Sequence, residues 1–302
     1  MRTLEKVQKN VTKYWTSHNV TEHHNFLSEE DSLNFLDWRN KCYLYYEDLM
    51  PTNMATGKVV LDYGCGPGHD LVGFAINSTP KKLIAADVSP TSLNQARKRL
   101  ELHEKSVELI ELQSNITKIP LADQSVDLIH SSGVLHHTEK PLEILKEFKR
   151  ILKPNGSLQI MIYNYESIWV HLYVAYELML NDGSFKNNIL RKLGLKKYPQ
   201  NLEETFRETT DGALCPISRF YKREEFLSLL KDAGFKGSYR GASASLWMEL
   251  NRLPRRFEAI ADRRLPKEHR DFLYDLSFDA KGAPMYKGFS TGIGGCYQAT
   301  LT

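Results

Sequence analysis

The sequence has few of the features that mark secreted, metal-binding or membrane-spanning proteins. Its 302 residues include four cysteines, and none of them forms a CxxC pair, which argues against a zinc ribbon or a redox motif. No run of about 18 apolar residues occurs, and no apolar segment follows the first residues, so we expect neither a membrane span nor a signal peptide. These absences predict a cytoplasmic protein with free thiols.

The chain also lacks a strong excess of charge. Forty Lys and Arg residues against 37 Asp and Glu residues give a formal net charge of +3, and the basic residues are scattered. The basic stretch from Arg252 to Arg264 also contains Glu258 and Asp262, so a solvated helical face is the better interpretation. Nucleic-acid-binding proteins usually carry a concentrated basic patch, and we therefore expect no nucleic-acid partner. The histidines lack ligand spacing, so no metal site is expected. The oligomeric state stays open.

Strand-like and helix-like stretches alternate in the middle of the chain, which is typical of βαβ units in a parallel sheet. Ser89 is a plausible N-cap, and Pro90 suits the first position of the helix that follows. The motif Lys153-Pro154-Asn155-Gly156 predicts a turn. The predicted strands are 58–63, 82–88, 107–113, 125–131, 157–163, 236–241 and 295–301, and the predicted helices are 70–77, 90–104, 142–152 and 223–233.

A glycine-rich turn follows the first predicted strand. Residues 59–70 read VVLDYGCGPGHD, with glycines at positions 64, 66 and 68. Glycine lets the backbone bend sharply and lets a ligand approach closely, and the helix N-terminus that follows favours an anion. A dinucleotide fingerprint needs G-x-G-x-x-G, but His69 occupies the third glycine position. The spacing therefore argues against a nicotinamide-dependent oxidoreductase.

The D-x-G-x-G-x-G pattern from Asp62 resembles motif I of the class I S-adenosylmethionine (SAM)-dependent methyltransferases. Further segments resemble the same family, and specifically its UbiE-like (methyltransferase type 11) subgroup, in the same order along the chain. The position after the fourth strand reads Ser-Gly-Val-Leu instead of the Asn/Asp-Pro-Pro-aromatic motif, which disfavours methylation of nucleic-acid bases. The similar segments are Asp87, Asn115-Ile116 with Ile119-Pro120, 127–137 (DLIHSSGVLHH), 152–158 (LKPNGSL) and 226–235 (FLSLLKDAGF).

The resemblance implies a Rossmann-like α/β fold with a seven-stranded, mostly parallel sheet whose last strand is antiparallel. It divides the chain into an N-terminal helical cap (1–57), a SAM-binding core (58–163), an aromatic lid or acceptor insertion (164–219) and a C-terminal completion of the sheet with an insertion (220–302). It implies in-line methyl transfer from SAM to an O or N atom of a small or medium organic acceptor, such as a natural product, sugar or quinone. A non-catalytic scaffold of the same fold that binds a partner protein is the alternative.

The resemblance also implies the residues of the cofactor site. Asp87 ends the second strand, where an acid takes two ribose hydroxyls, whereas Asp62 contacts the ligand or orders the loop. Cys65 is interpreted as a small loop residue and not as a nucleophile. The expected cofactor contacts are Asp62, Tyr63, Gly64, Cys65, Gly66, Asp87, Val88, Asn115, Ile116, Ser132 and His137.

Residues after the fourth and fifth strands are the candidates for the acceptor side. His137 lies at the carboxyl edge of the sheet, and the ordinary pKa of histidine suits a general base. The alternative is that His137 only shapes the pocket. Arg39 is a candidate partner for the methionine carboxylate of SAM. The expected acceptor-pocket residues are Tyr14, Arg39, Tyr163, Asn164 and Tyr165.

Overall fold

The chain folds into layers of helices on both faces of one large sheet. The computed structural model describes residues 4–18, 24–114, 117–180 and 201–302, with side chains from residue 11 onward. The helices are α1 (Leu4–Ser17), α2 (Glu29–Cys42), α3 (Tyr46–Leu49), α4 (His69–Asn77), α5 (Pro90–Leu102), α6 (Pro141–Ile151), α7 (Leu202–Thr210), α8 (Arg223–Asp232), α9 (Arg256–Ala261) and α10 (Lys267–Asp275). Two 3₁₀ turns (Leu135–His137 and Leu250–Arg255) and a π-helical segment (Trp169–Leu180) complete the helical elements of the described ranges.

The sheet has eight strands in the order β1-β7-β11-β6-β5-β2-β3-β4. The five strands from β6 to β4 are parallel, and β11 is antiparallel to both of its neighbours. This confirms the expected mostly parallel methyltransferase-type sheet with an antiparallel last strand, to which the two-residue β1 adds an edge. The strands are β1 (Tyr43–Leu44), β2 (Val59–Tyr63), β3 (Lys82–Asp87), β4 (Glu108–Glu111), β5 (Val126–Ser132), β6 (Leu152–Tyr163), β7 (Phe235–Ser245), β8 (Ser277–Phe278), β9 (Pro284–Tyr286), β10 (Phe289–Ser290) and β11 (Gly294–Leu301), of which β8–β10 form a small separate sheet.

Both faces of the central strands are buried, which explains why these strands read as continuous apolar runs. Along β2, Val60 packs into one hydrophobic cluster together with Phe74 of α4. The next residue, Leu61, belongs to a second cluster that contains Phe148 of α6. Because successive strand side chains point to opposite faces, the two clusters place α4 and α6 on opposite sides of the sheet.

The ends of two helices follow their local sequence signals. The Ser89 hydroxyl accepts a hydrogen bond from the backbone N–H of Ser92 at 3.2 Å, as expected for an N-cap. Gly234 follows α8 with a φ of +86°, the left-handed conformation typical of a residue after a helix C-terminus.

The predicted turn at residues 153–156 is present as an irregularity within β6, which runs from Leu152 to Tyr163: a Cβ on Gly156 would lie 2.6 Å from Cγ of Leu152, so the chain folds back on itself here. The register between β5 and β6 shifts here: Val126 pairs with Leu152, whereas Leu128 pairs with Ser157. The extra residues of β6 are absorbed as a bulge, a feature that turn-forming residues also favour. Within the described ranges, no helix has the length and apolar composition needed to cross a membrane.

Candidate functional site

The glycine turn brings backbone close to two neighbouring elements. Gly64 has a φ of +76°, and its N–H donates to the carbonyl oxygen of Ala86 on β3 at 2.6 Å. A Cβ at this position would collide with the side chain of Val134. Gly66 also has a positive φ, +52°, but no described atom lies within 4 Å of the place where its Cβ would be. The turn is therefore closed at Gly64 and leaves open space at Gly66.

That open space is part of a cleft of about 180 Å³ at the carboxyl edge of the sheet. The backbone of Ser114 and Thr117 flanks the expected contacts Asn115 and Ile116, which lie outside the described residues. Ser114 and Thr117 both line the cleft. The expected cofactor contacts that line it are Tyr63, Gly64, Gly66, Asp87, Val88, Ser132 and His137.

Asp87 is held at the carboxyl end of β3 by backbone donors. One carboxylate oxygen accepts the N–H of Gly66 at 2.9 Å, and the other accepts the N–H of Ser89 at 2.8 Å. Burial raises the pKa of Asp87, and these backbone N–H groups oppose the rise. A carboxylate has about four lone-pair sites, so both oxygens can still accept from ribose hydroxyls. The fixed carboxylate and the open space beside Gly66 fit a nucleoside.

A second, larger chamber of about 1010 Å³ opens beside the cleft. Two of the expected contacts within the described residues, Asp62 and Cys65, do not line the cleft but line this chamber. The chamber and the cleft share the lining residues Trp15, Gly64, Gly66, Ser132, Gly133 and His137. Aromatic and thioether side chains form much of the remaining wall, among them Phe35, Trp38, Tyr43, Tyr46, Tyr163, Trp247, Met161 and Met248. The chamber therefore suits a ligand with apolar surface.

A buried polar network borders the chamber at the N-terminus of α4. Asp70 accepts from Arg39 of α2 at 2.5 Å and from the Tyr46 hydroxyl at 2.9 Å, and it lies 3.2 Å from Nε2 of His130. Burial alone would raise the pKa of Asp70, but the charges of Arg39 and His130 hold it well below its usual range. Arg39 lines the chamber, yet its guanidinium is paired with Asp70, a partner that the sequence reasoning did not foresee.

Asp62 lies near this network, but its pKa is shifted in the opposite direction from that of Asp70. It is buried at the end of β2, and burial raises its pKa, although the charge of His130 opposes the rise. Burial thus favours the protonated form of this carboxyl group, which can both donate and accept a hydrogen bond.

His137 stands where the cleft and the chamber meet. Its Nδ1 lies 2.8 Å from the carbonyl oxygen of Ile217, and its Nε2 lies 3.7 Å from a carboxylate oxygen of Asp211. The Trp15 ring of α1 lies 4.7 Å from the imidazole, centroid to centroid. Burial lowers the pKa of His137, and the Asp211 carboxylate opposes this effect.

Asp211 is a functional candidate to which the sequence pattern assigns no role, because only the fold brings its loop to His137. Its carboxylate accepts from the Tyr163 hydroxyl at 2.8 Å and from the Ser218 hydroxyl at 2.6 Å. Tyr163 lines the chamber as expected. Tyr14 donates to the main-chain oxygen of Asp211, so it supports the loop without being part of the described chamber wall.

The structure does not bring Asn164 and Tyr165 to the described wall of the chamber. The Asn164 amide donates to the main-chain oxygens of Glu166 at 2.8 Å and Gly292 at 3.1 Å, so it braces the end of β6. The Tyr165 ring packs against His171 on the side of the π-helical segment. The chain bends immediately after Tyr163, and a sequence pattern does not show where such a bend directs each side chain.

The two glycines of the turn provide a matched pair of substitutions. Both Gly64→Ala and Gly66→Ala introduce a left-handed alanine, which costs about 1–2 kcal/mol. Gly64→Ala also forces Val134 to move, so we expect it to lower the free energy of unfolding by roughly 1–3 kcal/mol more than Gly66→Ala. Urea unfolding at neutral pH measures both values. Equal losses for the two variants would contradict the close packing at Gly64.

Comparison with known proteins gives a consistent result. Residues 61–160 match the family model described as a methyltransferase domain. A 37.1 kDa protein in transposon TN4556 of Streptomyces fradiae is 33% identical over 141 residues, which cover 44% of this chain and 40% of that protein. The demethylmenaquinone methyltransferase of Chlorobaculum parvum is 29% identical over 182 residues, which cover 59% of this chain and 65% of that protein. The chain thus spans less than two thirds of the length of these curated relatives.

Among solved structures, a similar chain comes from the complex between the Haloferax volcanii Trm112 methyltransferase activator and a methyltransferase. The alignment covers 96% of this chain and 97% of that chain, with a TM-score of 0.54 and 16% identity. At this identity the likeness concerns the fold alone.

Proposed function

The chain belongs to the class I SAM-dependent methyltransferases, and on that premise we propose that it transfers a methyl group to an O or N atom of a small or medium organic acceptor. SAM supplies a methyl group on a sulfonium, an electrophile that needs alignment with the acceptor more than it needs activation. One observation carries the proposal: the cleft and the chamber adjoin along six shared lining residues, and Ser132 and His137 are among them. Two ligands bound in them would face each other at this junction.

On the cofactor side, we assign the ribose hydroxyls to Asp87. The turn between Gly64 and Gly66 lets the ligand approach the backbone, and a side chain at Gly66 would extend into that space. The adenine then lies beyond Val88, toward the part of the cleft that includes Leu112. Each of these roles is proposed from the position of the residue in the wall of the cleft.

On the acceptor side, the aromatic wall favours a ligand with a flat or apolar body. A quinone-like or natural-product acceptor fits such a wall, and the relative from Chlorobaculum parvum is named for a demethylmenaquinone substrate. Helix α1 places Trp15 at the junction, and α7 ends at Thr210, which lines the chamber together with the next residue, Asp211. We propose that the segments 1–57 and 164–219 act as a cap and a lid that exclude water during transfer.

The cofactor site is tested by isothermal titration of SAM and S-adenosylhomocysteine. We expect binding by the wild type and a loss of about 100-fold or more in Asp87→Asn, since two hydrogen bonds to a charged group contribute roughly 3 kcal/mol. Asp271→Ala on α10 is the control, because this exposed carboxylate lies outside the described cleft and chamber walls. Circular dichroism establishes that each variant is folded.

A non-catalytic scaffold that binds a partner protein is the second candidate function. The observation in its favour is the likeness to a chain from a complex with a methyltransferase activator, although that likeness concerns the fold alone. Titration separates the two functions, because a scaffold without cofactor chemistry has no need to bind SAM. A folded wild type that binds neither SAM nor S-adenosylhomocysteine would overturn the enzymatic proposal and leave the scaffold.

A further inference from the structure

The surroundings of His137 narrow the class of acceptor, an inference that rests on the proposed methyl transfer. We propose that His137 is the general base that takes the proton from a hydroxyl group of the acceptor, and that Asp211 is its positioning residue. The substrate class is then an alcohol, phenol or enol, and the product is a methyl ether. The contacts of the two residues support this in three steps.

The first step concerns the tautomer of His137. Its Nδ1 lies 2.8 Å from the carbonyl oxygen of Ile217, and a carbonyl oxygen can only accept. Nδ1 therefore carries the hydrogen, so in the neutral ring Nε2 has a free lone pair. Burial lowers the pKa of His137, so the neutral ring predominates near pH 7. An imidazole in this state is ready to accept a proton at Nε2.

The second step concerns the 3.7 Å between Nε2 of His137 and the Asp211 carboxylate. Two hydrogen-bond acceptors face each other here at a distance too long for a direct hydrogen bond. The Tyr163 and Ser218 hydroxyls hold the carboxylate in place at 2.8 Å and 2.6 Å. Once Nε2 is protonated, the nearby negative charge stabilises the imidazolium, since opposite charges within about 4–6 Å favour the charged form.

The third step concerns the position of His137 relative to the two ligands. His137 is part of the walls of both the cleft and the chamber. As the acceptor hydroxyl loses its proton to Nε2, the oxygen lone pair forms the new O–C bond and the electrons of the C–S bond stay on sulfur. The positive charge thus passes from the sulfonium to the imidazolium, whose nearest carboxylate is Asp211. No further reactant is needed.

Other ionisable groups also face His137. Cys215 lies on the same loop as Asp211. A ring nitrogen of His137, a carboxylate oxygen of Asp211 and the sulfur of Cys215 all lie within 4.8 Å of one another. Burial raises the pKa of Cys215 to about 12, so it remains a thiol. The Tyr163 ring packs edge-on against His137, and the neighbouring His136 is also neutral, because burial lowers its pKa well below the usual value. Asp211 is therefore the charged group of this cluster.

The tautomer and the coupling are measured by NMR of protein with ¹³C,¹⁵N-labelled histidine, saturated with S-adenosylhomocysteine. His137→Gln assigns the signals. We expect the Nδ1–H tautomer at pH 7, and Asp211→Asn should reduce the fraction of imidazolium at a given pH about tenfold, one pKa unit. Glu208→Gln, an exposed carboxylate on the preceding helix α7, is the matched control and should leave the titration unchanged. An Nε2–H tautomer, or equal titration in wild type and Asp211→Asn, would overturn the proposal.

The base is tested with 4-nitrophenol and with its methyl ether 4-nitroanisole, which has no hydroxyl hydrogen to give. With S-adenosylhomocysteine bound, 4-nitrophenol should donate a hydrogen bond to Nε2 of His137 and shift its ¹⁵N signal, and 4-nitroanisole should not. An unchanged Nε2 signal with 4-nitrophenol, or equal shifts with the two molecules, contradicts the base. Zinc retained by the wild type and lost in Cys215→Ser would instead make the cluster a metal site. Titration of S-adenosylhomocysteine on the same samples shows separately whether the cofactor site is intact, so failure of the base and failure of the methyltransferase proposal are distinguishable.

Discussion

Arg39→Met is expected to lower the free energy of unfolding by about 3–5 kcal/mol, the cost of leaving one member of a buried ion pair without its partner. The pair that it breaks is well shielded: the side chains of Arg39 and Asp70 are 14% and 12% exposed. Asp70 would keep Tyr46 and His130 as neighbours but would lose the guanidinium that most favours its charge. Urea unfolding at pH 7 measures the loss.

The same helix supplies the control. Lys41 and Asp37 also form an ion pair on α2, at 2.6 Å, but their side chains are 74% and 61% exposed. Lys41→Met should therefore change the free energy of unfolding by less than about 1 kcal/mol. Adding Asp70→Asn to Arg39→Met should recover part of the loss, because no unpaired buried charge remains. Similar effects of Arg39→Met and Lys41→Met would contradict the structural account.

This prediction has a definite pH dependence. The folded-state pKa of Asp70 is depressed, so its stabilising contribution is present above the ordinary carboxyl pKa of about 3.9 and is lost as pH falls. The difference between wild type and Arg39→Met should therefore shrink when unfolding is measured at pH 3 instead of pH 7. A difference that grows at low pH would indicate that the pair is not the source of the effect.

Glu249→Ala is expected to cost at least about 3 kcal/mol, since each buried backbone donor left without a partner costs about 1–3 kcal/mol. The fully buried carboxylate accepts the N–H of Ile293 at 2.9 Å, of Ser245 at 3.0 Å and of Trp169 at 3.2 Å. These donors belong to three separate segments around the chamber. Glu258→Ala, on the exposed face of α9, should have an effect within about 0.5 kcal/mol.

Glu249 should also make the stability of the fold depend on pH. Burial raises its pKa to about 7, although the backbone donors oppose the rise. The pKa of Glu249 in the folded protein exceeds the ordinary carboxyl value. Its contribution to the free energy of unfolding is therefore complete below about pH 4.3 and is lost as the pH rises through about 7. The amide in Glu249→Gln does not ionise, so the fall in stability from pH 5 to pH 8 should be smaller in this variant by up to about 3 kcal/mol. Parallel pH curves for the two proteins would refute this.

The features that the sequence predicts well are those determined by neighbouring residues. The glycine turn, the Ser89 cap and the helix predicted at 223–233 depend on the properties of a few adjacent residues, and the structure contains all three. The mostly parallel sheet with its antiparallel last strand follows from the family resemblance of the βαβ core. Such local and repeated patterns leave few alternatives for the backbone.

The features that sequence reasoning missed are contacts between distant segments. Arg39 and Asp70 are 31 positions apart, and nothing near Arg39 indicates that a helix N-terminus will place an acid against it. Asp211 reaches His137 only because the loop after α7 returns to the carboxyl edge of the sheet. The role of Asn164 as a brace depends in the same way on Gly292, 128 positions away.

Strand β11 lies between two strands that both precede it in the chain, β6 and β7. On the ribosome, β6 and β7 therefore emerge first and cannot pair with each other without blocking the place of β11. Until β11 arrives, this half of the sheet has two unpaired edges, which are sites for association with other chains. Gly294, the first residue of β11, lines the chamber, so the chamber is completed only after the residues that line the cleft have been synthesised. Nascent chains of this protein should accordingly depend on chaperones most strongly in the interval between the synthesis of β7 and that of β11.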